Sequence, residues 1–198
     1  ELIWLLTNTV PEDHPYHGLV LQPEIETRPE LWMLGSSDFG GALAAHVGIP
    51  FCYAQFINAQ HGDAVMQMYR DNFQPGYESA PRNAVAIFVV VAETEAEAED
   101  IAAAVDLRRL FMAYGQNLPV PTIAEAKSLQ YAERDRQIMA NERPRSIIGT
   151  PDQVAERMLA LREKFDTDEL IILTVAPSIK ARFRTAELLA QTFSLVSG

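Results

Sequence analysis

Pro29-Glu30-Leu31-Trp32-Met33-Leu34-Gly35-Ser36-Ser37-Asp38-Phe39-Gly40-Gly41-Ala42-Leu43-Ala44-Ala45-His46-Val47-Gly48-Ile49-Pro50 is the stretch that decides the fold. An apolar run, Leu31 to Leu34, ends in Gly-Ser-Ser, and a helix of small residues starts at once. Gly48 suits a helix C-terminus and Pro50 cannot continue the helix, so a second apolar run, Phe51 to Phe56, begins on cue. Strand, tight turn, helix and strand in that order is the unit of a parallel sheet. The same grammar continues outward. Ala84 to Val91 is the most strongly β-forming run and Leu170 to Val175 the last. Their near-continuous apolarity predicts strands buried on both faces.

The helices are marked by their caps. Thr94 with Glu97, Thr122 with Glu125 and Thr150 with Gln153 have capping-box spacing, and Pro151 suits a first helical position. The third helix should run to about Phe165 and bury Val154, Met158 and Leu161. Between the third and fourth strands, residues 114–148 do not fit a minimal strand-helix repeat. They hold Pro119 and Pro121, a polar helix from about Ile123 to Ala140, and Arg143-Pro144-Arg145. An insertion of that length reads as a lid or binding element. The acidic run Glu93, Glu95, Glu97, Glu99 and Asp100 falls at a helix start, where negative charge suits the macrodipole on a solvated face.

Composition narrows the function. The chain has 198 residues, 48% hydrophobic and 22% charged, as expected of a globular chain rather than a disordered one. Its 16 basic and 27 acidic residues give a net charge of −11, which argues against nucleic acid and anionic membranes as partners. Cys52 is the single cysteine and reads as a small buried hydrophobe. With no spanning run and no signal peptide in the sequence, the cytoplasm is the expected compartment. His14 and His17 lie in a Pro11–Pro15 loop without a ligand cluster, and His46 and His61 have no nucleophile to serve, so no metal site is expected.

The Gly35-Ser36-Ser37 turn is the first site candidate. The first-turn N–H groups of the following helix lack internal partners, and the macrodipole places positive potential there, so the turn could cradle phosphate. The two hydroxyls add donors. The turn could equally be a plain N-cap, and Asp38 would repel an inward phosphate. In the strand Phe51 to Phe56, alternation puts Phe51, Tyr53 and Gln55 on one face and Cys52, Ala54 and Phe56 on the other. Tyr53 and Gln55 are the expected pocket-lining pair, against a reading in which they pack between sheet and helices. Arg134, Arg136, Arg143 and Arg145 of the insertion could meet an anion or simply be solvated.

Gly35-Ser36-Ser37, Ala42-Leu43-Ala44-Ala45 and Gly48-Ile49-Pro50-Phe51 together resemble the luciferase-like flavin monooxygenases, in particular the alkanal-monooxygenase-like branch. Val91 to Ala98, Ile148 to Arg157, Asp168 to Thr174 and Arg184 to Ala190 resemble later segments of that family in order. The resemblance implies an α/β fold, the C-terminal half of a (β/α)8 TIM barrel, with the four strands as the fifth to eighth and the insertion before the last. The chain is then expected to be a single partial domain. Its opening at Glu1 inside Leu2-Ile3-Trp4-Leu5-Leu6 fits a barrel joined midway.

The resemblance further implies reduced FMN, O2 and an organic substrate such as an aldehyde, with Gly35, Ser36 and Ser37 holding the FMN phosphate. Some relatives carry histidine near Gln55, so an acid-base role there is not expected, and the main catalytic histidine would lie in the first half. Two alternatives keep the fold: a non-catalytic barrel subunit that stabilises a partner, and an oxidoreductase using a deazaflavin. The expected partners are the small substrate together with either a second copy or the first half of the barrel.

Overall fold

The computed structural model describes residues 1–23, 27 and 29–195, so the loop between Pro23 and Pro29 lies partly outside it. Five strands form one parallel sheet: β1 (Met33–Gly35), β2 (Phe51–Ala54), β3 (Asn83–Val91), β4 (Ser146–Gly149) and β5 (Glu169–Leu173). The helices are α1 (Leu2–Thr7), α2 (Asp38–Val47), α3 (Gly62–Asp71), α4 (Glu95–Ala113), α5 (Ile123–Ser128), α6 (Glu133–Glu142), α7 (Pro151–Phe165) and α8 (Ile179–Thr192), with a short 3-10 turn at Arg143–Arg145.

β3 is the spine. Eight of its nine residues are apolar, and it pairs with β2 through Asn83–Ala86, with β5 through Ala84–Phe88 and with β4 through Phe88–Val91. Phe88 pairs with both Ser146 and Leu173, so β4 lies on the edge opposite β5, beyond the end of β2. This short strand was not expected, and it borrows the upper part of β3.

Alternation sorts the two sheet faces. Phe51, Tyr53 and Val85 pack with Ala44, Ala45, Met66, Tyr69 and Phe165, while Ile87, Val89 and Val91 pack with Val154, Met158, Leu188 and Leu189. That face is covered by α2, α3, α7 and α8. On the other face Cys52, Ala84 and Ala86 meet Trp32, Phe56 and Leu173. There Leu34 is 55% and Ile171 42% exposed.

The route between β3 and β5 differs from the expectation. Val90 and Ala92 pack on Ala98 and Ile101, so α4 sits on the small-residue face, opposite α7. The helix that covers the other face is α7, as a right-handed crossover requires. The departure from the simple repeat therefore begins at α4, well upstream of Tyr114, and ends at β4. The polar helix expected at 123–140 is two helices, α5 and α6, separated at 129–132. The Thr122–Glu125 box is complete; Thr94 supplies only the hydroxyl half, accepting from the Glu97 N–H at 3.2 Å.

Candidate functional site

A parallel sheet puts the C-terminal ends of all its strands at one edge, where binding loops gather. β1 delivers the Gly35-Ser36-Ser37 turn to that edge. Gly35 and Gly40 approach each other so closely that a Cβ on Gly40 would lie 3.4 Å from the Gly35 Cα, which brings the first turn of α2 against the end of β1. Ser37 occupies the N-cap in an extended conformation, φ −142° and ψ 165°, yet its side chain makes no cap bond. Its hydroxyl is thus left for another partner. Asp38 is exposed, and its Oδ1 accepts the Phe39 N–H at 3.0 Å. The N–H groups of Asp38 and Gly40 have no acceptor within the helix. The turn is therefore a cradle of donors with a hydroxyl at its mouth.

Tyr53 is fully buried, its ring centred 5.7 Å from that of Phe165 and 6.5 Å from that of Phe51. The ring is on the helix side, so it packs there and does not line a pocket on the open face. Large rings fill the space under the helices, while Cys52 and Ala54 take the other face. Tyr53 reaches the turn through its hydroxyl, which donates to the carbonyls of Gln60 at 3.0 Å and Ser36 at 3.5 Å. Burial pushes that phenol up.

Gln55 lies just past β2, which ends at Ala54. It is buried, its Nε2 donates to the Ala59 carbonyl at 3.5 Å, and its Oε1 has no partner. The next residues join two features. Asn58 Nδ2 donates to the Ser36 carbonyl at 3.4 Å, whereas Phe56 and Ile57 line a cavity.

That cavity has a volume of about 650 Å3, within the range of small-molecule sites. Phe56, Phe88, Val105, Met112 and Val175 supply apolar walls, so it lies over the ends of β2, β3 and β5 and beneath α4. Three arginines, Arg108, Arg109 and Arg145, and one carboxylate, Glu142, also line it. Arg145 pairs with Glu142 at 2.6 Å. Arg109 donates to Ser146 Oγ at 2.5 Å and to the Glu142 carbonyl at 3.3 Å, and its guanidinium lies 5.3 Å from the centre of the Phe88 ring. Burial pulls its pKa down, opposed by nearby Asp106. Asp106, itself buried, holds Arg143 at 2.5 Å; burial pushes its carboxyl up against the pull of that guanidinium.

The other sequence candidates have local roles. Arg143 is occupied by Asp106 and Glu99, Arg136 by Glu133, and Arg134 lies 5.8 Å from the centre of the Tyr114 ring. His14 faces Glu1 and His17 the Val10 carbonyl. Burial, aided by the Glu169 charge, pushes the Cys52 thiol up to about 12, as befits a packed hydrophobe. Arg108 and Arg109 were missed. They sit adjacent on α4 among apolar residues, and only the folding of α4 over the open face brings them to a cavity.

Residues 7–168 match the model of the luciferase-like monooxygenases. The chain belongs to that family. It is 36% identical over 194 residues to the uncharacterized protein YceB of Bacillus subtilis (strain 168), covering 98% of this chain and 59% of YceB. To N-acetyl-S-alkylcysteine monooxygenase of the same organism it is 26% identical over 178 residues, 88% of this chain and 52% of the relative. The crystal structure of apo-MsnO8 superposes with a TM-score of 0.82 at 29% identity, over 93% of this chain and 58% of that one. The chain thus spans little more than half the length of these luciferase-like relatives, and its α/β fold with a parallel sheet matches that of apo-MsnO8 over that share. No helix among the described residues is long and apolar enough to cross a membrane.

Proposed function

We propose that this chain forms strands five to eight of a (β/α)8 barrel, as β1, β2, β3 and β5, and takes part in an FMN-dependent monooxygenation of a small organic substrate such as an aldehyde. The observation that carries the reading is the joining of the donor-rich Gly35-Ser36-Ser37 turn to the apolar cavity through the 55–60 loop, at the C-terminal edge of the sheet. The hydroxyls of Ser36 and Ser37 and the N–H groups of Asp38 and Gly40 would hold the FMN phosphate, local dipoles serving where the net charge of −11 does not help. Tyr53 and Asn58 hold the Ser36 carbonyl and so fix the turn. Reduced FMN, when bound, supplies the electrons for oxygen activation. The protein contributes orientation, and α4 supplies one apolar wall of the cavity through Val105 and Met112.

The test is a titration of the chain with FMN and with riboflavin, which lacks the phosphate, followed by flavin fluorescence. The unmodified chain should prefer FMN. Replacing two donors to a charged group removes roughly 1.5 kcal/mol or more, so Ser36→Ala with Ser37→Ala should weaken FMN at least about tenfold and leave riboflavin unchanged. Equal affinity for the two flavins, or an unaffected double variant, would overturn the assignment. Preference for a deazaflavin would point to the hydride-transfer alternative.

The small-residue face bears on partners. Leu34 and Ile171 are exposed there beside Trp32 and Leu173, and apolar strand faces of this kind are covered in stable proteins. The reading has this face meet the first four strands of a barrel or a second copy. Light scattering should therefore show the chain alone to be associated, and Leu34→Ser with Ile171→Thr should shift it toward monomer. A monomer at every concentration would contradict it.

A further inference from the structure

The 55–60 loop touches both parts of the site. Phe56 and Ile57 line the cavity, and the Phe56 ring meets the Phe88 ring edge-on with centres 5.3 Å apart. Asn58 reaches back to the turn. Its Oδ1 accepts the Gln60 N–H at 3.0 Å, and because a backbone N–H only donates, the amide is oriented with Nδ2 toward the Ser36 carbonyl, 3.4 Å away. The Tyr53 hydroxyl lies between the Gln60 and Ser36 carbonyls and closes the ring of contacts.

This loop is loosely bonded. The contacts of Asn58 and Tyr53 with the Ser36 carbonyl, at 3.4 and 3.5 Å, and that of Gln55 Nε2 with the Ala59 carbonyl, at 3.5 Å, all exceed the common range, which ends at about 3.2 Å. Gln55 Oε1 is buried with no partner at all. A buried acceptor left unpaired costs free energy that a shift of its surroundings can recover. The loop is therefore an adjustable joint between two firm parts, the buried Tyr53 ring and the close Gly35–Gly40 contact.

We infer that the 55–60 loop couples the cavity to the Gly35-Ser36-Ser37 turn, with Asn58 as the positioning residue: an apolar molecule seated on Phe56 and Ile57 tightens the loop, and the Asn58 amide orders the turn through the Ser36 carbonyl. The inference rests on the functional reading above in one respect. Where the turn holds phosphate, the ordering raises its affinity, because less freedom remains to be lost on binding.

Octan-1-ol, an uncharged filler for the cavity, and inorganic phosphate are titrated together into the full chain and followed by amide NMR of residues 37–41. Octan-1-ol should tighten phosphate binding by about fivefold or more, and phosphate should tighten octan-1-ol by the same factor, since linkage is reciprocal. Asn58→Asp keeps the acceptor for the Gln60 N–H and loses the donor to Ser36, so aspartate would serve a residue that merely folds the loop. The inference expects otherwise. In Asn58→Asp and Asn58→Ala neither ligand should change the affinity for the other, even though the new carboxylate also weakens phosphate by repulsion. Affinities that ignore each other in the unmodified chain, coupling that survives in full in Asn58→Asp, or no binding of octan-1-ol would overturn it. Hydrogen exchange supplies an arm without the anion. Octan-1-ol alone should slow exchange of the Gly41 amide, whose bond to the Ser37 carbonyl is 3.4 Å long, in the unmodified chain and not in Asn58→Ala. If that slowing is seen but phosphate does not bind at the turn, the flavin-phosphate reading fails and the coupling of cavity to turn stands. If phosphate binds there and octan-1-ol leaves both its affinity and the exchange unmoved, the coupling fails and the reading stands.

Discussion

Asp106→Ala is expected to lower the unfolding free energy by about 3–5 kcal/mol, read from urea denaturation. The Asp106 side chain is 4% exposed, and it stands between Arg143 Nε at 2.5 Å and Arg109 Nη1 at 3.7 Å. Arg109 is 9% exposed, so removing the carboxylate leaves a buried guanidinium held by a carbonyl, a hydroxyl and the Phe88 ring, none of them charged. The cost comes from that stranded charge rather than from the worth of the pair itself. Asp106→Leu combined with Arg109→Met should therefore recover most of the loss, since it removes both buried charges and fills the space with apolar atoms. Arg143 keeps Glu99 at 2.9 Å in that variant. A loss below about 1 kcal/mol for Asp106→Ala would mean that water replaces the carboxylate and that α4 is not held to the Arg143–Arg145 turn in this way.

Those residues also show how far the sequence could be read. The Leu-Gly-Ser-Ser turn, β3 and the start of α7 are legible because each signal is local: an unbroken apolar run, a Gly-Ser-Ser break, a Thr-Pro cap. Which face of β2 meets the helices is not local. Alternation puts Phe51 and Tyr53 together, but the space beneath α2, α3 and α7 is what receives the rings, and the smaller Cys52 and Ala54 are left to the open face. β4 escapes for the same reason. Ser146-Ile147-Ile148-Gly149 is too short to announce itself and becomes a strand only by pairing with the last four residues of β3. Likewise α4 has the caps of an ordinary crossover helix, and only the contact of Val90 and Ala92 with Ala98 and Ile101 puts it on the other face. Arg108 and Arg109 follow α4, so the cavity's charges were invisible until that packing was known.

Gly48→Ala should lower stability by about 3 kcal/mol, from two costs that can be separated. Gly48 caps α2 in the left-handed region, φ 66° and ψ 42°, where a Cβ costs about 1 kcal/mol or more. A Cβ built there would also lie 2.5 Å from the Gly76 nitrogen and 2.6 Å from the Gln74 carbonyl oxygen. Neither is a flexible side-chain end, so the 74–78 segment must move. Its hydrogen bonds to the cap, Gln74 N–H to the Ala45 carbonyl at 2.9 Å and Glu78 N–H to the Gly48 carbonyl at 2.8 Å, would be strained or lost, each worth about 1 kcal/mol. Gly115 is the control. It has a similar φ of 74°, but a Cβ there meets nothing within 4 Å, so Gly115→Ala should show the backbone cost alone. At about 2–4 °C per kcal/mol for a chain of this size, thermal denaturation should place Gly48→Ala roughly 6–12 °C below the parent and Gly115→Ala about a third as far. Equal shifts for the two would mean that the 74–78 segment yields freely. α2 would then be held chiefly by its burial against α3 and the sheet, and the Gly35-Ser36-Ser37 turn at its other end would be insulated from the cap.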